Sequence, residues 1–317
     1  MAKLSRPRRG SLQYWPRKRA KKLIPSVNWT IISSKNSDKQ ILGFIGYKVG
    51  MASAYVKDNT ADSMTKSKRI SIPVTIIECP KLKILSTRFY KNGQVIGEVV
   101  NKNLNKELVR KIKIPKKISK KIEDYKDYDD IRIVVYTDLK DFIKKNPDIL
   151  EVSLGGSLEN KLSFVKEHID KTISVSEALQ QGQLIDVKAV TKGKGLQGPV
   201  KRFGAGLRQH KAEKGVRKIG SIGPWHPSRV SFRVPMAGQM GFFNRIQYNN
   251  KIVFVSNTFD NNINPSGGFN HFGNIQGDYI LVTGSVQGPA KRQLVITHPL
   301  RATKKQSKKN YEFIELR

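Results

Sequence analysis

Residues 40–56 read QILGFIGYKVGMASAYV. Apolar clusters punctuated by Gly43, Gly46 and Gly50 predict short strands with tight bends, as in a small barrel. The stretch is the most apolar in the chain, but Lys48 and the three glycines interrupt it. It also falls short of the roughly 20 residues that a membrane-spanning helix needs. Residues 71–78 (SIPVTIIE) are rich in β-branched side chains and add a second strong strand. Strand character returns after Gln180, in residues 183–191 (QLIDVKAVT), 251–256 (KIVFVS), 279–283 (YILVT) and 293–297 (QLVIT).

The middle of the chain has a different rhythm. Residues 131–136 (IRIVVY) and 150–154 (LEVSL) read as strands, whereas the Lys-rich residues 101–130 read as helix plus loop. Residues 138–145 read as a short helix before Pro147. In 157–169 (SLENKLSFVKEHI) the apolar positions 158, 162, 165 and 169 have helical spacing, and Ser157 suits a helix start. The economical arrangement is a mainly β protein: a β-barrel over 36–78 and 181–317, interrupted by an inserted α+β module over 79–180. Closure into a barrel removes exposed sheet edges.

Charge limits the function. Fifty-nine Lys and Arg against 25 Asp and Glu leave a net +34, an excess that a compact chain tolerates only beside a polyanion. A secreted glycan binder is expected to carry a signal segment and paired cysteines. Here the chain starts MAKLSRPRRG and Cys79 is its one cysteine, so the expectation is a reducing, cytoplasmic compartment with neither membrane nor small-molecule substrate. Nucleic acid is the polyanion that fits.

The cations are concentrated in two segments. Residues 1–22, part of a basic N-terminal arm over 1–35, hold nine Lys and Arg and no acid. Lys3, Arg6, Arg8, Arg9, Arg17, Lys18 and Arg19 lie there, with Trp15 as an aromatic neighbour. Alone, such a segment buries too little to offset its ordering entropy. At about 3.3 Å per residue it reaches roughly 70 Å when extended. Its aromatics favour an arm that folds against RNA, where bases and guanidinium planes stack.

Residues 192–245 form a Gly- and Pro-rich finger with twelve Lys or Arg and one acid, Glu213. Its candidate RNA-binding residues begin with Lys192, Lys194, Lys201, Arg202 and Arg208. Lys211, Lys214, Arg217 and Lys218 continue the series, followed by Arg229, Arg233 and Arg245. Glycine lets backbone approach phosphate, and spaced cations neutralise it. Within the finger, Gly223-Pro224-Trp225-His226-Pro227 holds a tryptophan between prolines without apolar neighbours. That setting predicts a tip packed on RNA rather than a core residue.

Signals of catalysis are weak. Gly193-Lys194-Gly195-Leu196-Gln197-Gly198 matches G-x-G-x-x-G, but Pro199, Gly204 and Gly206 follow in a Lys-rich loop where dinucleotide binding needs a helix. The five histidines lack metal-ligand spacing, and one cysteine makes no zinc site. Cys79 reads as buried packing, and Glu123-Asp124 and Asp129-Asp130 as solvated surface. The expectation is therefore no enzyme, no metal and no cofactor. An RNA-modifying enzyme lacks a convincing cofactor loop or acid, His or Cys cluster. A general nucleic-acid compaction protein accounts for the charge but not for the shaped finger.

Several segments together resemble archaeal members of the ribosomal protein L3 (uL3) family. PRRGSLQYWPRKRAKK is similar to the family's arm, and GFIGYKVGM to its first barrel strands. IDVKAVTKGKGLQGPVKR, GSIGPWHP and MAGQMGFFNR resemble the base, tip and return of its central finger, with Gln239 in the return. GGFNHFG and LVTGSVQGPAKR resemble its C-terminal barrel strands. The resemblance implies a translation-protein-type β-barrel and a non-enzymatic role in organising large-subunit rRNA early in assembly. It also implies Trp225 near the peptidyl transferase centre and protein neighbours such as uL14. The likeness has departures. Gln239 matches bacterial members equally well. Residues 212–215 (AEKG) replace a His-bearing eukaryotic segment, so a modification there does not carry over to Glu213. The long C-terminal extension of eukaryotic members is not expected after YEFIELR.

Overall fold

A computed structural model describes residues 10–11, 13–36, 41–115, 120–140 and 142–317. Along the chain the strands begin with β1 (Gly43–Asp58), β2 (Arg69–Glu78), β3 (Leu82–Lys91), β4 (Gln94–Val100), β5 (Asp130–Thr137) and β6 (Ile149–Ser153). They continue with β7 (Leu184–Val190), β8 (Leu196–Gln197), β9 (Gly238–Gln239), β10 (Asn244–Asn257), β11 (Asp278–Thr283), β12 (Gln293–Thr297) and β13 (Tyr311–Leu316). The α-helices are short: α1 (Trp29–Lys35), α2 (Leu158–His168), α3 (Val175–Ala178), α4 (Pro199–Phe203) and α5 (Lys304–Ser307). The class is mainly β.

β1 organises the larger sheet, and it differs from the sequence expectation. Its glycines do not divide it; residues 43–58 form one continuous strand. They serve close packing. A Cβ on Gly43 would lie 2.4 Å from the Trp29 ring, and one on Gly46 would lie 2.6 Å from Ile77. A register shift between Lys48 and Gly50 against β2 lets the strand bend, as an irregularity in a ladder does. Consequently its first half pairs with β12, Gly43 opposite Thr297, and its second half with β13, Ala54 opposite Leu316. The order β12–β7–β10–β11–β2–β1 thus returns to β12 and closes a six-strand ring. Strand β13 adds to β1 beyond the ring and leaves one edge.

The second sheet has the order β4–β3–β5–β6. β3 and β4 form a hairpin across Asn92 (φ +51) and Gly93 (φ +77), the left-handed pair that an Asn-Gly turn supplies. Helix α2 starts where Ser157 accepts the Asn160 N–H at 3.3 Å, and it buries Phe164 and Val165. One apolar cluster includes side chains of both sheets, from Phe44, Ile76 and Ile280 to Phe89 and Ile133. Each such side chain contributes about 1.5–3 kcal/mol on full burial.

A buried carboxylate ties the sheets together. Asp148 receives Tyr47 Oη at 2.5 Å, Lys111 Nζ at 3.2 Å, Gln293 Nε2 at 3.4 Å and the Lys144 ammonium. Burial alone would raise its pKa. The Lys144 and Tyr47 hydrogen bonds, with the charges of Lys144 and Lys111, more than offset this and hold it below the usual value.

Two helix expectations fail. Among the described residues, 101–130 hold only 3₁₀ turns at Lys106–Arg110 and Ile122–Asp124. Asn101 Oδ1 accepts the Asn103 N–H at 3.0 Å, a local bond that competes with helix. The described residues of 138–145 are not helical either. Their polar groups turn elsewhere: the Asp138 N–H donates to Lys81 at 2.8 Å, and Lys144 turns to Asp148.

By backbone contacts the chain divides into two compact units. One is the described part of Met1–Leu23 with Val190–Arg245; the other is Ile24–Ala189 with Ile246–Arg317.

Candidate nucleic-acid interface

The smaller unit is built from the arm and the finger. At the finger's base β8 and β9 pair antiparallel, Leu196 opposite Gln239 and Gln197 opposite Gly238. Backbone bonds lengthen this ladder: Thr191 N–H to Phe243 O, Lys194 N–H to Met240 O and Met240 N–H to Gly195 O, each 2.9 Å. Gly241 has φ +71, and a Cβ on it would lie 2.1 Å from the Lys192 carbonyl oxygen, so the turn requires glycine.

Residues 199–203 correct the sequence reading. A helical turn, α4, follows Gly198 where only loop was expected, with Pro199 in its first turn and Gly204 at φ +63 behind it. Those are the start and stop signals of a helix. The dinucleotide reading does not revive: the helix is five residues long, and β8 lies inside the glycine motif instead of before it.

Arg202 holds the return limb. Its Nε donates to Gln239 O at 3.1 Å and its Nη1 to Met236 O at 2.8 Å. A Cβ on Gly238 would meet that guanidinium at 2.9 Å, so this glycine makes its room. Burial, then the nearby Arg17 charge, lower the Arg202 pKa. Arg208 closes the next loop through its N–H to Val216 O at 3.0 Å and its guanidinium to Ile219 O. Gln239 Nε2 donates to Gly241 O at 3.0 Å.

The arm packs along this frame through alternating arginines and rings. Arg17 lies 5.2 Å from the Phe203 ring centre and 5.7 Å from that of Trp15, while donating to Ser11 O at 2.7 Å. Trp15 meets Phe232 at 5.0 Å, and Arg19 meets Phe242 at 5.4 Å. Arg245 sits 4.0 Å over Tyr14 and 5.1 Å over Phe243. The Ala20 N–H donates to Phe242 O at 2.9 Å. Each cation–ring contact contributes about 0.5–1 kcal/mol where exposed. The arm's aromatics therefore already have protein partners, which a reading of the arm alone did not anticipate. Tyr14, Phe203, Phe232, Phe242 and Phe243 were missed as site residues. Their signal was an arginine within three positions of each ring.

No residue from 191 to 245 is buried. Residues 220–233 are exposed throughout, and Trp225 is 87% exposed, so it has no core role in the chain. His226 beside it is exposed. Lys192, Lys194, Lys201, Lys211, Lys214, Arg217, Lys218 and Arg229 are exposed and have no carboxylate partner among the described residues. Lys18 and Arg19 are exposed on the arm, and Arg233 lies 5.8 Å from the Phe232 ring centre. Lys3, Arg6, Arg8 and Arg9 fall outside the described residues.

The larger unit holds a cavity of about 340 Å³ lined by Glu78, Lys81, Lys83, Asp138, Asn257 and Asp278, among others. Glu78 Oε1 accepts the N–H groups of Gln276 at 3.0 Å and Gly277 at 3.4 Å, and burial pushes its pKa up to about 7. Lys83 pairs with Asp138 at 3.1 Å. Among the described residues no Ser, Cys or His lines the cavity. Cys79 is buried, and burial raises its thiol pKa well above the ordinary value. Among the described residues no three His, Cys, Asp or Glu groups gather at metal-binding distance, and no helix is long and apolar enough to cross a membrane.

A family model described as "Ribosomal protein L3" matches residues 1–317. The chain belongs to the ribosomal protein L3 family. It is 41% identical to large ribosomal subunit protein uL3 of Methanocaldococcus jannaschii, over 94% of this chain and 92% of that protein. It is 40% identical to the uL3 proteins of Picrophilus torridus, over 96% and 94% of the two chains, and of Archaeoglobus fulgidus, over 95% and 94%. L3 proteins are structural constituents of the large ribosomal subunit, and this member is accordingly a structural ribosomal protein and not an enzyme.

Proposed function

We propose that this L3-family chain binds large-subunit rRNA through its arm and finger, supports early assembly, and shapes the region near the peptidyl transferase centre with the finger tip. The observation that carries the reading is a folded segment, 191–245, with no buried residue and twelve cations against one acid. A segment without a core is completed by its partner. Spaced unpaired cations and exposed rings suit phosphates and unstacked bases.

The 23 candidate residues divide by what they already hold. Trp15, Arg17, Arg19, Arg202, Arg208, Arg233, Gln239 and Arg245 brace the protein, so they position the interface. Lys18, Lys192, Lys194, Lys201, Lys211, Lys214, Arg217, Lys218 and Arg229 face outward for phosphate. Lys3, Arg6, Arg8 and Arg9 extend the same chemistry along the arm. Trp225 and His226 supply planar faces at the tip. The functional division follows the expected segments: arm 1–35, barrel 36–78 and 181–317, inserted module 79–180. The cytoplasmic ribosome is the location this implies, with neighbouring large-subunit proteins, uL14 among them, as protein partners.

Binding of a large-subunit rRNA transcript, titrated across salt, tests the reading. Neutralisation of about ten phosphates gives a slope of log K against log salt of roughly −7 to −9. Trp225→Ala should leave that slope and the melting temperature unchanged while ribosomes carrying it lose activity at the tRNA end of the site. A nearly salt-independent affinity sinks the rRNA reading. A large drop in melting temperature for Trp225→Ala sinks the tip role.

A further inference from the structure

We propose that the larger unit carries its own rRNA contact, a pinned basic strap at residues 301–309 seated beside the 57–68 loop. The inference rests on the rRNA reading above and adds a surface outside the arm and finger.

Between β12 and β13 the chain presents Arg301, Lys304, Lys305, Lys308 and Lys309, all exposed, with no acid from 298 to 311. The strap is fixed at three places. At its start the Leu300 N–H donates to Asp186 Oδ2 at 3.0 Å. In the middle Lys251 Nζ, itself buried, donates to the carbonyls of Gln306 at 3.3 Å and Ser307 at 3.0 Å, the end of α5. At the end the Asn59 N–H donates to Asn310 O at 2.9 Å and the Asn310 N–H to Thr60 Oγ1 at 3.0 Å. Those last bonds seat the strap against the loop that joins β1 to β2.

That loop brings Lys57, Lys66 and Lys68, also exposed. Of its two acids, Asp62 is exposed, whereas Asp58 is turned inward, accepting from Thr60 N–H at 3.0 Å, Ser63 Oγ at 2.6 Å and Thr65 Oγ1 at 2.6 Å. None of these eight cations pairs with a carboxylate among the described residues. In the inserted module part of the charge is neutralised: Lys83, Arg88, Lys91, Lys111, Arg132 and Lys161 are in ion pairs, although others there, such as Lys102, Lys106 and Lys126, are not among the described residues. What sets this surface apart is that its unpaired cations sit on two segments held together by backbone bonds.

The strap's arrangement also opposes its own folding. Lys304 and the capping Lys308 are like charges four apart on the α5 turn, a destabilising spacing, and Lys305 and Lys309 add like charge beside them. Burial first, and then the Lys309 charge, lower the pKa of the anchoring Lys251. Holding repelling cations rigidly on the surface is unfavourable until a polyanion neutralises them. No large apolar side chain lies in 301–310, so the strap lacks the face a membrane-surface helix inserts. Phosphates of RNA are the partner that fits a row of fixed cations.

The test compares two full-length variants that remove equal charge. One is Lys304→Ala/Lys305→Ala/Lys308→Ala/Lys309→Ala, and the other is Lys211→Ala/Lys214→Ala/Arg217→Ala/Lys218→Ala in the finger. Each should keep the wild-type melting temperature and bind the rRNA transcript with a salt slope smaller in magnitude by about 3. Loss in the finger variant with wild-type affinity and slope in the strap variant overturns this inference and leaves the rRNA reading standing; an acidic protein neighbour would then be the strap's partner. Loss in neither overturns both. Position is checked with Lys305→Cys carrying an iron chelate, Cys79 being buried. Hydroxyl-radical cuts at a few rRNA positions support a fixed contact, and cuts spread evenly along the RNA overturn it.

Discussion

Glu78 and Asp148 are both buried carboxylates, and their surroundings move them in opposite directions. Asp148 has two lysines and a tyrosine hydroxyl, which keep it ionised. Its contribution to stability is present above the ordinary aspartate pKa and is lost as pH falls through its lowered value. Glu78 has two backbone N–H donors, and loss of hydration dominates. Its native pKa of about 7 lies above the unfolded value, so the native state binds the proton more tightly. It is neutral to stability below the unfolded value and increasingly unfavourable as pH rises to about 7, by up to ~3 kcal/mol. Glu78→Gln keeps an oxygen for Gln276 and Gly277 but cannot ionise. Urea unfolding from about pH 5 to pH 8 should show the variant gaining on the wild type as pH rises. A constant difference across that range would mean the carboxyl is not held neutral.

At the scale of elements, glycine does two different jobs. In β1 it removes side chains so that Trp29 and Ile77 pack against the strand; at Gly241 it supplies a positive φ above the Lys192 carbonyl. Gly241→Ala should therefore cost on the order of 1–3 kcal/mol locally. Because the finger has no core, hydrogen exchange is the measurement: the Lys194 and Met240 amides should lose protection. Gly206→Ala, whose Cβ meets nothing within 4 Å, should leave them unchanged. Equal protection in the two variants would remove the steric argument.

These elements also show what was legible. Strands such as 131–136 and 293–297 declared themselves by β-branched density, and α2 by apolar spacing behind Ser157. Asn92-Gly93 marks the β3–β4 hairpin, a turn signal in a stretch for which no strand was expected. The continuity of β1 was not legible, because a glycine that admits a neighbour's ring looks in sequence like one that bends a strand. The helix expected at 138–145 failed at its start because Asp138 bonds Lys81, Lys83 and Asn105, more than thirty residues back, which no local pattern records. The finger's cations were plain in composition, whereas its stacking on the arm depends on residues some 200 positions apart.

For the whole molecule, the decisive asymmetry is where cations lack carboxylates. The segments 1–23 and 190–245 hold twenty-one Lys and Arg and a single acid, while most acids lie in the larger unit and several there pair with lysine or arginine. One part of the chain is thus held by its own core, and the other by hydrogen bonds and arginine–ring contacts that water and salt weaken. Limited proteolysis separates the two. Composition alone predicts cutting throughout 1–22 and 192–245. The ladder and the arm contacts narrow the expectation to the fully exposed residues 220–233 and the loop before them, with 13–20, 191–197 and 238–245 protected. Large-subunit rRNA should suppress the remaining cuts at low salt and release them at high salt, because the protection comes from displaced counterions. Cutting at 13–20 as fast as at 220–233 would mean that the arm is ordered only by RNA. Resistance of 220–233 without RNA would mean that the finger tip is completed by protein, and the rRNA reading of that tip would fall.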